Sequence, residues 1–195
     1  MVNLPNILTG LRILLIPVLV GVFYLAPLEW RYLASAIVFS IASVTDWLDG
    51  YLARKLGQMT PFGAFLDPVA DKLIVAVALV LLVEIHASAI LAIPALVIVG
   101  REIVVSALRE WMAQYSQMRS VAVSYLGKIK TTFQMVAIIV LLMSGPGLEK
   151  WPVMLGFVLL YGAAILSLWS MVQYLMLAWP DLSSGMTNNE ERGQD

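Results

Sequence analysis

Cysteine is absent from the 195 residues of this chain, and histidine occurs once. Without cysteine there is no disulfide, no thiol nucleophile and no zinc–thiolate site. Charge is scarce as well. Asp, Glu, Lys and Arg make up 13% of the residues, against roughly 25% in soluble domains. The formal net charge of −1 supplies no overall field that would favour nucleic acid. A basic amino-terminal region is missing too. Met1–Thr9 carries no Lys or Arg, and Pro5 and Asn6 interrupt its apolar start, so no cleavable signal peptide is expected. No internal repeat is visible.

What remains is apolar sequence: 61% hydrophobic residues and a mean hydropathy of +0.87. This composition reads as an integral membrane protein with a single membrane-embedded domain over residues 1–179. Six apolar segments lie near the ~20 residues that a membrane span needs: Ile7–Leu25, Trp30–Leu52, Phe65–Ile85, Ala89–Met112, Ile129–Met143 and Trp151–Ala178. The fifth is short unless it starts near Gly127. The fold expected is all-α with six transmembrane helices. Residues 180–195 are polar and acidic and are expected to form a disordered cytoplasmic tail. Ten cations, including Arg12, Arg54, Lys72, Arg101, Arg109 and Lys130, fall toward one side of the spans, and only Arg31 and Lys150 toward the other. The positive-inside rule then puts both termini in the cytoplasm. Trp30, Trp111, Trp151 and Trp179 lie near span ends, as an aromatic belt would. His86 is expected at the opposite face as an interfacial side chain.

Four aspartates interrupt this apolar sequence. The pattern is Asp46-x2-Asp49-Gly50-x2-Ala53-Arg54-x8-Gly63-x3-Asp67-x3-Asp71. An aspartate near the centre of a membrane helix costs about 2.5–3.5 kcal/mol. Four uncompensated ones would cost roughly 10–14 kcal/mol, as much as a whole fold has in hand. Something cationic is needed among them. Pairing with Arg54, Lys55 and Lys72 is one solution. Hard oxygen ligands with no Cys or His nearby point to another, Mg²⁺ or Mn²⁺. At 1.5 Å per helical residue, Asp46 lies about 24 Å inward from Trp30, and Asp71 about 21 Å inward from Ile85. Both fall slightly below the cytoplasmic edge of a hydrocarbon core about 30 Å thick. Asp46 and Asp49 share a face as i and i+3, and Asp67 and Asp71 share one as i and i+4. Gly50, Ala53 and Gly63 continue those faces with little bulk. The expected site is a recessed, carboxylate-lined cup that opens to the cytoplasm and borders lipid. It suits a substrate with a greasy tail and a phosphate head. Two divalent ions there could bridge pyrophosphate oxygens in a phosphoryl transfer.

The eight specified positions of this pattern, spread over 26 residues, resemble the signature of the CDP-alcohol phosphotransferase family without departure. The resemblance extends to Pro5-Asn6-Ile7-Leu8-Thr9-x2-Arg12, to Arg101-Glu102-Ile103 with Ser106-Ala107-Leu108-Arg109, and to Gly127-Lys128-x-Lys130-Thr131-x2-Gln134. These look like motifs of the branch whose acceptor is sn-glycerol 3-phosphate. The resemblance implies a six-helix homodimer in the bacterial inner membrane, with two Mg²⁺ or Mn²⁺ ions per site. Its implied partners are CDP-diacylglycerol, glycerol 3-phosphate and membrane lipid. It implies metal ligation by Asp46, Asp49, Asp67 and Asp71, and a general-base role for Asp71. Asp49, Gly50, Ala53, Arg54, Gly63 and Asp67 would bind the CDP moiety. A phosphorylated acceptor also calls for cations near the cup but off the ladder. Arg109, Lys128, Lys130 and Arg101 are the candidates, with topology and acidic-lipid contact as the alternative roles. Arg12, Asn6 and Thr9 are weaker candidates that support the cup or anchor a surface helix. Two rival readings stay open at this point. One is another acceptor, namely inositol phosphate, serine or phosphatidylglycerol. The other is a divalent-cation transporter, against which all four acids cluster near one face.

Overall fold

A computed structural model of the chain describes residues 4–56, 61–115, 125–147 and 149–192. Within these, the side chains of residues 49–56, 125–128 and 180–192 are among those outside the description. The described residues form six helices and no strand: α1 (Leu4–Leu25), α2 (Leu28–Leu56), α3 (Pro61–His86), α4 (Ala89–Tyr115), α5 (Tyr125–Ser144) and α6 (Trp151–Arg192). Helices leave no backbone group unpaired in lipid, which is why apolar spans adopt them. The hydroxyls of α2 follow the same rule. Ser35, Ser40, Ser43 and Thr45 each donate to the carbonyl four residues back, at 2.7–2.9 Å.

The connections between helix pairs have identifiable local causes. Pro27 starts the turn into α2, its carbonyl accepting from the backbone of Trp30 and Arg31. Ser88 caps α4, its side-chain oxygen accepting from Ile90 at 3.2 Å. Gly145 and Gly147 both have positive φ, 61° and 124°, a region glycine enters without steric cost. Gly145 is also fixed by space, because an added Cβ would come within 2.7 Å of the Tyr32 ring. Three contacts gather these turns at one end of the bundle. Tyr24 of α1 donates to Glu84 of α3, the ring of His86 meets that of Phe157 on α6, and Gly145 sits against Tyr32 of α2. The aspartates occupy the other end.

The core is a continuous apolar cluster. Leu19, Phe39, Leu82, Ile98, Leu142 and Leu160 are fully enclosed. The outside is equally apolar, with Leu14, Ile37, Val80, Leu96, Val158 and Trp169 all well exposed. Such a surface has no place in water and fits lipid. Three helices, over Ile7–Leu25, Ala89–Met112 and Trp151–Met176, are long and apolar enough to cross a membrane by length and composition. The protein is a multi-pass membrane protein. α2 and α3 are long enough but carry the charged ladder. α5 starts at Tyr125, before Gly127, and so reaches 20 residues. Trp30 and Trp151 are exposed at the starts of their helices, and Trp179 is exposed just past the apolar span Trp151–Met176, as a belt requires.

Residues 180–192 continue α6 as helix. Extending an existing helix avoids the cost of nucleation. Leu182, Met186, Glu190, Glu191 and Arg192 are good helix formers, with only Gly185 strongly opposed.

Candidate active site

α2 and α3 carry the aspartate ladder on helical backbone, so the expected i, i+3 and i, i+4 spacings are realised. Asp46 and Asp71 are partly buried. Asp46 lies within electrostatic reach of Asp67, and Asp71 within reach of Asp46. Three of the four acids thus form one negative centre across two helices. The backbone at Asp49, Gly50, Ala53 and Arg54 belongs to α2, but their side chains lie outside the described residues. Gly63 is buried in the first turn of α3.

The support for this centre comes from α1, whose polar residues were the weaker candidates. Arg12 is fully enclosed, and its guanidinium meets Asp46 Oδ1 at 2.9 Å. Thr9 is almost fully buried and donates its hydroxyl to Asp67 Oδ1. Thr9 and Arg12 are i and i+3 on one helix, so a single face of α1 braces one acid of α2 and one of α3. The available signal was the Pro5-Asn6-Ile7-Leu8-Thr9-x2-Arg12 motif, three polar side chains three residues apart in a mostly apolar helix. Asn6 lies outside the described side chains. Lys72 lies within electrostatic reach of Asp71, but among the described residues its hydrogen bond goes elsewhere, to Ser106 of α4.

That contact crosses a groove of about 480 Å³ between α3 and α4, lined by Pro68, Lys72, Leu73, Glu102 and Ser106 among others. On its α4 side, Glu102 joins the ladder to a cationic cluster. Its Oε1 accepts from Arg101 at 2.7 Å and from Lys130 Nζ at 3.3 Å. Arg101 is buried and also donates to the Ser167 carbonyl at 3.3 Å and the Ser170 hydroxyl at 3.1 Å. Lys130 is buried, within electrostatic reach of Arg101 and Arg109. Arg109 is exposed; it donates to the Tyr174 hydroxyl at 2.7 Å and stacks on that ring at 4.9 Å. The structure therefore brings Arg101, Arg109 and Lys130 together. The side chain of Lys128 is outside the described residues. Glu102 has no place among the expected site residues, yet it is the acid around which two of those cations gather.

Known proteins resemble this chain over most of its length. A model of the CDP-alcohol phosphatidyltransferase family matches residues 2–169, which span both the ladder and the cationic cluster. The chain belongs to the CDP-alcohol phosphatidyltransferase family. A relative from Pseudomonas fluorescens is 56% identical over 183 residues, 93% of each chain. Relatives from Salmonella choleraesuis (strain SC-B67) and Escherichia coli (strain K12) are 53% and 52% identical over 180 residues, which is 92% of this chain and 97% of theirs. All three are named CDP-diacylglycerol–glycerol-3-phosphate 3-phosphatidyltransferase. Within this CDP-alcohol phosphatidyltransferase, the donor set of the ladder is all hard carboxylate oxygen, which fits Mg²⁺ or Mn²⁺. Arg12 is ion-paired with Asp46, and the negative centre keeps charge to offer. Among the described side chains no three acidic or imidazole groups close on one point, and the side chain of Asp49, the fourth of the set, lies outside them.

Proposed function

We propose that the protein transfers the phosphatidyl group of CDP-diacylglycerol to sn-glycerol 3-phosphate, giving phosphatidylglycerol phosphate and CMP. The observation that carries this reading is identity above one half, over more than nine-tenths of the chain, to relatives bearing that enzyme name. The juxtaposition of a carboxylate centre with a cationic cluster supports it independently, since the reaction joins a pyrophosphate donor to a phosphorylated acceptor.

Asp46, Asp49, Asp67 and Asp71 would hold two Mg²⁺ or Mn²⁺ ions, which when bound supply positive charge against the phosphate oxygens. Gly50, Ala53, Arg54 and Gly63 shape the CDP pocket together with Asp49 and Asp67. Asp71 accepts the proton of the acceptor's 1-hydroxyl. That oxygen bonds to the phosphorus on the diacylglycerol side, and the bond from this phosphorus to the CMP oxygen breaks. Arg109, Lys128, Lys130 and Arg101 hold or attract the acceptor phosphate through charge-assisted bonds. The exposed apolar exterior beside the cup lets the diacylglycerol tails stay in lipid.

The enzyme sits in the bacterial inner membrane as a homodimer, with both termini and the cup facing the cytoplasm. The ten-to-two division of Lys and Arg supports the orientation, as does the location of Arg31 and Lys150 beside the turns at the end away from the aspartates. Cysteine-free sequence makes this testable by single cysteines at Ser116 and at the exposed Glu149. An impermeant thiol reagent should label only Glu149→Cys in intact cells, and labelling of Ser116→Cys instead would reverse the topology. For the reaction, purified protein is given CDP-diacylglycerol and one acceptor at a time. CMP release with sn-glycerol 3-phosphate is expected. Release only with inositol phosphate, serine or phosphatidylglycerol would replace the acceptor, and metal uptake into vesicles without CMP release would replace the enzyme reading altogether.

A further inference from the structure

We infer that Glu102 is a positioning residue for the acceptor site, holding Lys130 and Arg101 as one unit beside the ladder. The inference rests on the acceptor reading above and adds a residue to it. Lys130 leaves α5 and Arg101 leaves α4, and both side chains are buried. Two enclosed cations in electrostatic reach of each other repel unless an acid lies between them. Glu102 is that acid. A single oxygen, Oε1, takes both, from Arg101 at 2.7 Å and from Lys130 at 3.3 Å. Arg101 has further anchors on α6, the Ser167 carbonyl and the Ser170 hydroxyl. The long, flexible stem of Lys130 is thereby tied through Glu102 to a rigid α4–α6 contact.

Glu102 also looks the other way. It lines the groove between α3 and α4 together with Lys72 and Ser106, and it lies within electrostatic reach of Asp71. The carboxylate therefore stands between the proton acceptor and the cations. The unit of Arg101, Lys130 and Glu102 carries a net single positive charge. That charge suits a phosphate that must bind, react and leave within one cycle. Without Glu102, Lys130 loses the partner that fixes its ammonium, and the phosphate loses a donor held in place.

The test uses the full protein in detergent micelles with Glu102→Gln, Glu102→Asp, Lys130→Met and the double variant Glu102→Gln/Lys130→Met. CMP release is titrated with sn-glycerol 3-phosphate at saturating CDP-diacylglycerol, and binding of glycerol 3-phosphate is followed separately by calorimetry. Glu102→Gln should raise the acceptor KM, and weaken acceptor binding, roughly tenfold or more, the scale of one charged hydrogen bond. The donor KM should stay put. Glu102→Asp keeps the charge and should recover part of the loss. The double variant should lose clearly less than the two single losses combined, because Glu102 acts on the phosphate largely through Lys130. A normal acceptor KM in Glu102→Gln, an equal rise in donor KM, or additive losses in the double variant would each overturn the inference. A wild-type protein that binds glycerol 3-phosphate but releases no CMP would sink the proposed reaction instead, and the binding data alone would then decide the role of Glu102.

Discussion

The half of the molecule built by α1, α2 and α3 and the half built by α4, α5 and α6 treat charge differently. In the first, the cation is enclosed and the acid is open. Arg12 is 0% exposed and its partner Asp46 is 40% exposed. In the second, the enclosed groups are the would-be ligand-binding cations. Arg101 and Lys130 are buried and committed to Glu102 and to α6. Of Arg101, Lys130 and Arg109, the described acceptor-site candidates, only Arg109 is exposed, and it rests on Tyr174. The acidic half displays charge that one arginine does not offset. The cationic half has spent much of its charge on its own packing. A cation brought to the first half meets acids with open oxygens besides their bonds to Arg12 and Thr9, whereas an anion brought to the second competes with bonds already made.

Removing the metal from the acidic half should have the largest effect. Activity is expected to vanish in EDTA and to return with Mg²⁺ or Mn²⁺. Asp46→Asn and Asp67→Asn should each lose most of it. Full turnover in metal-free buffer would erase the contrast between the halves. Asp71→Asn comes next, with kcat lower by about 10²–10⁴-fold, the contribution of a positioned base. Donor binding should persist, because three acids remain, and single-turnover CMP release reads the difference. A normal rate with abolished donor binding would make Asp71 a metal ligand rather than the base. Arg12→Ala should act on the fold first. Breaking an enclosed ion pair costs about 3 kcal/mol where the partner stays partly open, read as earlier thermal unfolding in detergent. An unchanged melting profile would mean that Asp46 needs no brace. The smallest effect is expected at the exposed cation. Arg109→Ala should raise the acceptor KM by a few-fold and leave kcat and the donor KM unchanged, less than Lys130→Ala. The reverse order would show that exposure, not burial, marks the acceptor's main contact.

The acidic half was the more legible from sequence, for a physical reason. An aspartate in apolar sequence is expensive wherever it lies, so Asp46, Asp49, Asp67 and Asp71 announce a site without any knowledge of packing. The helices were legible for a related reason, since an apolar run of span length has one stable form in lipid. Pairings between helices are different. Nothing in the local sequence says that α1 faces both α2 and α3, so Arg12 and Thr9 could be ranked only as weak candidates. Arg101 is similar: its bonds to Ser167 and Ser170 lie 66 and 69 residues away. Glu102 stood within the Arg101-Glu102-Ile103 motif but received no role, because its link to Lys130, 28 residues further on, is a packing fact.

Arg12 also bears on how the chain is built during synthesis. The segment Ile7–Leu25 emerges first, and it brings a guanidinium whose acid partner is 34 residues further along, on α2. Until that partner arrives, the arginine must reach for the water-facing surface, since an unpaired Arg within a span costs about 2.5–3.5 kcal/mol on insertion scales. Only when the second helix has entered can the side chain withdraw against Asp46. The first two helices are then best regarded as one insertion unit, a hairpin whose hinge is Ala26-Pro27 and whose latch closes at the opposite end.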